Sequence, residues 1–143
     1  MVDDCFICQK HAGLHAHPPG GYIFDDGIFS VCHAPAAIAR LGTFFVESIR
    51  HVLDFADFSA QESAAYGPLL QRLYGPIKSE TGAERLYTIV LLEGIAHFHT
   101  WLVPRMSGDS DRGSSLLAQK FSCNPSEAEQ LANKIRTQLA RST

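Results

Sequence analysis

The residues best suited to chemistry are His97, His99 and Trp101, which occupy alternate positions in a largely apolar run. If this run is a β-strand, side chains alternate between its faces, so these three share one face. Two imidazoles side by side on a stiff strand can bind a metal or act as nucleophiles. The pattern therefore predicts a strand with a reactive face. The alternative is a core strand whose histidines are buried and hydrogen-bonded.

A second constellation is the Cys5-Phe6-Ile7-Cys8 pair, which precedes every predicted regular element. In a reducing compartment such a pair is typically a metal knuckle or a redox couple, and two unrelated thiols are the third possibility. A thioredoxin-like couple needs a strand before it and a helix starting at it, and we predict neither. A zinc knuckle needs two more ligands, for which His51 and His97 are the candidates. If their strands are neighbours, they complete a closed Cys₂His₂ site, which would be structural.

Strand signals occur at several places along the chain. The Asp25-Asp26-Gly27 sequence between β-rich runs predicts a hairpin. Residues 43–48 form a third β-rich run. The run from Arg85 to Leu92 predicts a fourth strand, and its apolar second half indicates a central position in the sheet. The fifth strand begins at His97.

Helix signals separate and follow these strands. Ser59 and Glu62 have the spacing of a capping box at the start of a helix. Pro68 and Pro76 should bend or break that helix, since proline lacks an N–H and clashes with a preceding carbonyl. A last helix begins near Asn124. The piece before Gly21 has no apolar period and predicts irregular structure.

The element order β-β-β-α-β-β-α predicts an α+β fold. It would have a mainly antiparallel five-stranded sheet, a helix between strands 3 and 4 and a C-terminal helix. A chain of 143 residues suits a single domain. We expect its core over about residues 5–105 and a C-terminal loop and helix over 106–143.

Composition and charge argue against several kinds of partner. The net charge is −3, and no block of five like charges occurs, which predicts neither a nucleic-acid patch nor a polybasic membrane anchor. The start, Met1-Val2-Asp3-Asp4, does not have the character of a signal peptide. No stretch of about 18 apolar residues predicts a membrane span. We therefore expect a cytoplasmic protein with reduced cysteines.

Several motifs together resemble the zinc-containing histidine triad (HIT) proteins, in the same order along the chain. These motifs are Cys5-x-x-Cys8, Gly42-Thr43-Phe44-Phe45-Val46, Arg50-His51-Val52, Phe58-Ser59-x-x-Glu62, and His97-x-His99 with Pro104-Arg105. The resemblance runs from about Cys5 to Arg105 and implies a HIT-like fold. It also implies a structural zinc on Cys5, Cys8, His51 and His97, with His99 as the reactive residue. A homodimer whose two five-stranded sheets run together is a further implication, and the apolar run from Leu86 to Leu92 agrees with it.

The chemistry implied by this resemblance is attack by the middle imidazole, His99, on the α-phosphate of a nucleotide. The nucleotidyl-histidine so formed is then cleaved by water or another acceptor. We therefore expect a nucleotide hydrolase or nucleotidyl transferase, with Trp101 and Arg105 assigned to substrate binding. The alternative is a non-catalytic nucleotide-binding or regulatory protein that keeps the zinc scaffold. For Trp101 itself, packing is the alternative role.

Three departures from the family pattern bear on that choice. Trp101 stands where the third histidine is expected, and an indole cannot exchange a proton. The turn at Glu93-Gly94 is short and offers no side-chain donor to a phosphate. Cys32 or His33 occupies the place of the acidic residue that would hold a ribose. Other cations that could compensate at the phosphate are Arg40, Arg105 and Arg112.

Overall fold

The protein is built around a five-stranded antiparallel sheet with the strand order β1-β2-β3-β5-β4, in a computed structural model that describes residues 2–142. The strands are β1 (Tyr22–Asp25), β2 (Phe29–His33), β3 (Phe44–Ser48), β4 (Arg85–Ile89) and β5 (His99–Arg105). The helices are α1 (Phe6–His11), α2 (Ala60–Thr81), α3 (Ser114–Leu117) and α4 (Pro125–Arg141), and a 3-10 turn spans Phe55–Asp57. The predicted α+β class and the five-stranded sheet are confirmed.

One face of the sheet carries the main hydrophobic core beneath α2 and α4. The largest apolar side chains that are fully buried in it are Phe29, Phe44, Leu73, Ile77, Phe98, Leu102 and Ile135. Burial of apolar surface contributes about 25 cal/mol per Å², so this layer supplies most of the driving force for folding. It also fixes β3 and β5 side by side, and these two strands position the candidate site.

The opposite face of the sheet carries the residues of chemical interest. Glu47 of β3 pairs in register with His99 of β5, and Phe45 pairs with Trp101. Residues directly opposite each other in an antiparallel pair point to the same face, so all four lie together. The expected alternation along β5 therefore places His99 and Trp101 on this face, away from the buried Phe98.

The predicted turn and cap chemistry is confirmed at both positions. In the β1–β2 hairpin, the side chain of Asp26 accepts hydrogen bonds from the backbone N–H groups of Ile28 and Phe29, both within 2.9 Å. At the start of α2, Ser59 and Glu62 form the reciprocal capping box. These local bonds satisfy backbone donors that the turn and the helix end would otherwise leave free.

Pro68 and Pro76 were predicted to bend or break α2, and the predicted break is wrong, because both prolines lie inside one continuous helix. Each follows a glycine, Gly67 or Gly75. The clash that disfavours helix before proline involves the preceding Cβ, which glycine lacks. The helix ends at Gly82, whose φ of +74° is the left-handed conformation that glycine adopts without strain.

Two further predictions differ from the structure. The fourth strand ends at Ile89 and is an edge strand within one chain, not a central one. The segment before Gly21 contains the short helix α1, which begins at the cysteine pair, with Cys5 as its N-cap. No helix within residues 2–142 has the length and apolar character needed to cross a membrane.

Candidate functional site

The cysteine pair and two histidines converge at one end of β3 and β5. The side-chain ligand atoms of Cys5, Cys8, His51 and His97 all lie within 4.8 Å of one another. His97 Nδ1 is 3.4 Å from Cys5 Sγ and 3.6 Å from Cys8 Sγ. His51 Nδ1 is 3.5 Å from Cys8 Sγ and 3.2 Å from His97 Nδ1. The group could hold a metal ion.

These separations match the edges of a tetrahedral zinc site. Zn–N bonds of about 2.05 Å and Zn–S bonds of about 2.3 Å give N···N edges of about 3.3 Å and N···S edges of about 3.6 Å. The N···N separation observed is 3.2 Å, and the N···S separations are 3.4–3.6 Å. Two imidazole nitrogens and two thiols facing one another at these distances are the donor set that zinc prefers.

His97 is held in the form that can bind a metal. Its Nε2–H donates to the backbone carbonyl of Ser48 at 2.7 Å, which leaves the lone pair of Nδ1 directed at the cysteine sulfurs. Burial lowers the pKa of His97, with nearby His51 acting in the same direction, so the ring is neutral at physiological pH. His97 precedes β5 instead of starting it, and its side chain is fully buried.

His99 is held in the form that can act as a nucleophile. Its Nδ1–H donates to the backbone carbonyl of His97 at 2.7 Å. Its Nε2 therefore carries the lone pair, and the half-buried side chain lines an open cleft. The carbonyl and the imidazole of His97 thus join His99 to the cysteine cluster through one residue.

The cleft in front of His99 has a volume of about 630 Å³, within the range usual for small-molecule sites. Its walls are mainly apolar. The sheet contributes His33, Phe45, Glu47, His99 and Trp101 to the cleft, and α1 contributes Lys10. Trp101 packs edge-on against Phe45, with ring centroids 4.5 Å apart. It also borders a smaller groove with Ile89 and Val103, so it contacts two cavities. Trp101 therefore both packs against the sheet and presents a surface that a substrate in the cleft can contact.

A buried ionic group, which we call the Glu47 cluster (Glu47, Lys10 and His11), lies beside this cleft. Lys10 Nζ donates to Glu47 at 2.6 Å, and His11 Nε2 lies 3.0 Å from the other carboxylate oxygen. Burial alone would raise the pKa of Glu47, but the hydrogen bond from His11 and the charge of Lys10 outweigh it and lower the pKa. The cluster fastens α1 to β3.

Sequence reasoning missed this cluster, although one signal for it was available. Phe45 and Glu47 share a face of a predicted strand in the run Phe44-Phe45-Val46-Glu47. A carboxylate on a covered face requires a cation. Lys10 and His11 lie far away in sequence, in a segment without periodicity, so no local pattern indicates them as partners. His11 itself is half-buried.

The two residues at the expected ribose position, Cys32 and His33, are both buried in the protein interior. Cys32 is fully buried, and burial together with the nearby Glu47 raises the pKa of its thiol to about 12. His33 is also buried, and both its ring nitrogens are occupied. Its Nδ1–H donates to the Ala34 carbonyl at 2.7 Å, while Nε2 accepts from the Gly42 N–H at 3.0 Å.

The arginines considered for phosphate binding are engaged elsewhere in the chain. Arg105 is buried at the far end of β5, where it contacts Glu84 at 3.0 Å, and it does not line the cleft. Arg40 forms a bidentate pair with Asp109. Arg112 lies 3.8 Å from Glu84. Substrate binding by Arg105 stays a prediction that would need a change of partner.

Comparison with solved structures identifies the fold. A Zn-bound histidine triad family protein from Mycobacterium smegmatis aligns over 98% of both chains, with a TM-score of 0.77 and 19% identity. A hypothetical histidine triad nucleotide-binding protein from Sulfolobus tokodaii has a TM-score of 0.76 and 16% identity over 96% of this chain and 93% of its own. A Hit-like protein involved in cell-cycle regulation from Bartonella henselae has a TM-score of 0.74 and 13% identity, over 96% and 98%.

No protein-family model matches the sequence, and no curated protein matches it either. The structural matches show that the chain has the histidine triad fold. The fold implied by the sequence motifs is thereby confirmed. At these identities the structural likeness extends no further than the fold.

Proposed function

We propose that Cys5, Cys8, His51 and His97 bind one structural zinc ion. The proposal is supported by the tetrahedral edge distances and by the hydrogen bond that frees His97 Nδ1. The Zn-bound protein from Mycobacterium smegmatis, which shares the fold, is consistent with it. With four protein ligands the ion has no open position, so its contribution is to hold α1 against the sheet.

We further propose that the protein is a nucleotide hydrolase or nucleotidyl transferase that acts at the α-phosphate through His99. The observation that carries this proposal is the orientation of His99, with Nδ1–H held by a carbonyl and Nε2 facing the cleft. Nε2 attacks phosphorus, an N–P bond forms and the bond to the leaving group breaks. Water or another acceptor then attacks, the N–P bond breaks, and the imidazole is regenerated.

The surroundings of His99 indicate what kind of leaving group suits this cleft. Trp101 can donate its indole N–H but cannot transfer a proton. The leaving group must therefore depart as a stable anion or take its proton from water. The apolar walls of the cleft suit the nucleobase and a leaving group with a largely apolar body.

We propose the remaining properties on the same basis. The nucleotide partner is supported by the nucleotide-binding protein of Sulfolobus tokodaii, which has the same fold. The whole of residues 1–143 would form one domain, and two copies would associate as a homodimer in the cytoplasm. A continuous sheet between copies requires an edge strand without a partner, and β4 is one of the two edge strands among the described residues.

Mass spectrometry of the intact protein after incubation with adenylated and guanylated compounds tests the enzyme hypothesis. A nucleotidyl adduct on the wild-type chain that is missing from His99→Ala supports the mechanism. Full turnover by His99→Ala would overturn it. His97→Ala is the matched comparison, because it should lose metal and stability, whereas His99→Ala should keep both.

The second candidate function is a non-catalytic nucleotide-binding or regulatory protein with the same zinc scaffold. Trp101 in place of a proton-transferring histidine is the observation that favours it. Calorimetric binding of AMP without any adduct or turnover would select this function over the enzyme.

A further inference from the structure

The free edge of β4 presents a cation on the same face of the sheet as the cleft. Arg85, Tyr87 and Ile89 pair in register with Arg105, Val103 and Trp101 of β5. Paired residues share a face, and Ile89 indeed lines a groove together with Trp101 and Val103. Leu86 and Thr88 occupy the other face, where Thr88 contacts the hydroxyl of Tyr74.

Arg85 differs from three other cations, Lys10, Arg40 and Arg105, in having no ion pair among the described residues. Lys10 is paired with Glu47, Arg40 with Asp109, and Arg105 with Glu84. The side chain of Arg85 is exposed and makes no hydrogen bond within the described part of the chain. It lies at the far end of β4 from its own His99, so it cannot serve the cleft of its own copy.

When a second copy pairs antiparallel with the edge of β4, Arg85 of that copy lies near the Ile89 end of β4 in the first copy. When two identical edges pair antiparallel about a two-fold axis normal to the sheet, opposed residues must point to the same face. The sequence numbers of two opposed residues therefore differ by an even number. As a result, one residue lies at the axis, directly opposite the same residue of the other copy. Only an axis at Tyr87 pairs all five residues of β4, and it sets Arg85 opposite Ile89 of the other copy.

This register places Arg85 of the second copy beside the cleft of the first. Strands lie about 4.8 Å apart, so its Cα is about 10 Å from that of Trp101, with Ile89 between them. The Cα of His99, two residues along β5, is then about 12 Å away. An extended arginine can cross this gap over the indole face of Trp101 and meet a phosphate held at His99.

We propose that the site is completed in trans, with Arg85 of a second copy stacking on Trp101 and binding the nucleotide phosphate at His99. This inference rests on the proposed function and names a cation free of an ion pair among the described residues, whereas Lys10, which lines the cleft of a single chain, is bound to Glu47. A planar guanidinium suits both contacts, since it stacks on an aromatic face and binds phosphate oxygens bidentately. The half-buried indole at the third histidine position thereby gains a role that packing alone does not explain.

The test is complementation between an impaired chain and an inactive chain, with the p-nitrophenyl ester of AMP as the substrate probe. Arg85→Ala should reduce kcat/KM by about 10- to 100-fold, the usual effect of losing a charged hydrogen bond. Arg141→Ala, an exposed arginine at the end of α4, is the matched control and should leave kcat/KM unchanged. His99→Ala should be inactive.

A heterodimer of Arg85→Ala and His99→Ala chains separates action in trans from action in cis. It contains one cleft with an intact His99 that faces an intact Arg85 of the other chain. Recovery to about half of the wild-type rate per dimer supports the inference. A heterodimer no more active than the mean of its parents overturns it, as does an active monomer in light scattering. If the wild-type chain is inactive on the ester, the proposed function fails and the inference falls with it.

Discussion

Replacement of Lys10 by methionine tests how α1 is held against the sheet. Lys10 and Glu47 are 11% and 2% exposed, and their charged atoms are 2.6 Å apart. Removing one partner of a buried pair typically costs about 3–5 kcal/mol, because the other charge stays buried without compensation. Here His11 still contacts the carboxylate at 3.0 Å, so we expect the lower end, about 3 kcal/mol.

The assay is reversible thermal or urea unfolding of the zinc-loaded protein. For a chain of this size, about 3 kcal/mol corresponds to a fall in Tm of about 6–12 °C. Lys120→Met is the control, since Lys120 is exposed and has no ion pair within the described residues. The double variant Lys10→Met/Glu47→Leu removes both charges and should recover most of the loss. A Lys10→Met chain no less stable than Lys120→Met, or a double variant less stable than either single one, would refute the reasoning.

Three other perturbations have defined outcomes. Zinc removal by a chelator should lower the Tm and expose Cys5 and Cys8 to thiol reagents, and a chain whose Tm is insensitive to chelation would contradict the metal site. Trp101→His should raise the rate of nucleotide hydrolysis by about 10²–10⁴-fold if it restores proton transfer, as stopped assays would show. Because folding lowers the pKa of Glu47, its carboxylate stabilises the folded state at pH values above 4.5, the ordinary pKa of a glutamate. This contribution is lost as the pH falls through the folded-state pKa. Melts of wild type and Glu47→Gln should therefore converge in acid.

The sequence predicts best those features that local chemistry determines. The Asp26 turn and the Ser59 capping box satisfy their backbone groups within a few residues, so their patterns are visible in short windows. The convergence of Cys5, Cys8, His51 and His97 follows from the ligand types and their separation from regular elements. Such donor sets have few other uses in one protein.

Features that depend on distant partners could not be predicted in this way. α1 has only six residues, too few for an apolar period, and is held by Glu47 and the cysteine cluster. The edge position of β4 was not predicted because the apolar residues Val90, Leu91 and Leu92, which indicated a central strand, lie beyond the end of the strand at Ile89. The continuity of α2 through Pro68 and Pro76 depends on the glycine before each proline, which the presence of proline alone does not indicate.

The separation in sequence of the four clustered side chains constrains the order of folding. Cys5 and His97 are 92 residues apart, and Cys8 and His51 are 43 apart. Closing such loops costs entropy that only non-local contacts repay, so β3 and β5 must pair before the cluster can assemble. We therefore expect the N-terminal helix to dock last during folding and to be the first segment to open. Hydrogen exchange would then show early loss of protection in α1 while the central strands remain closed.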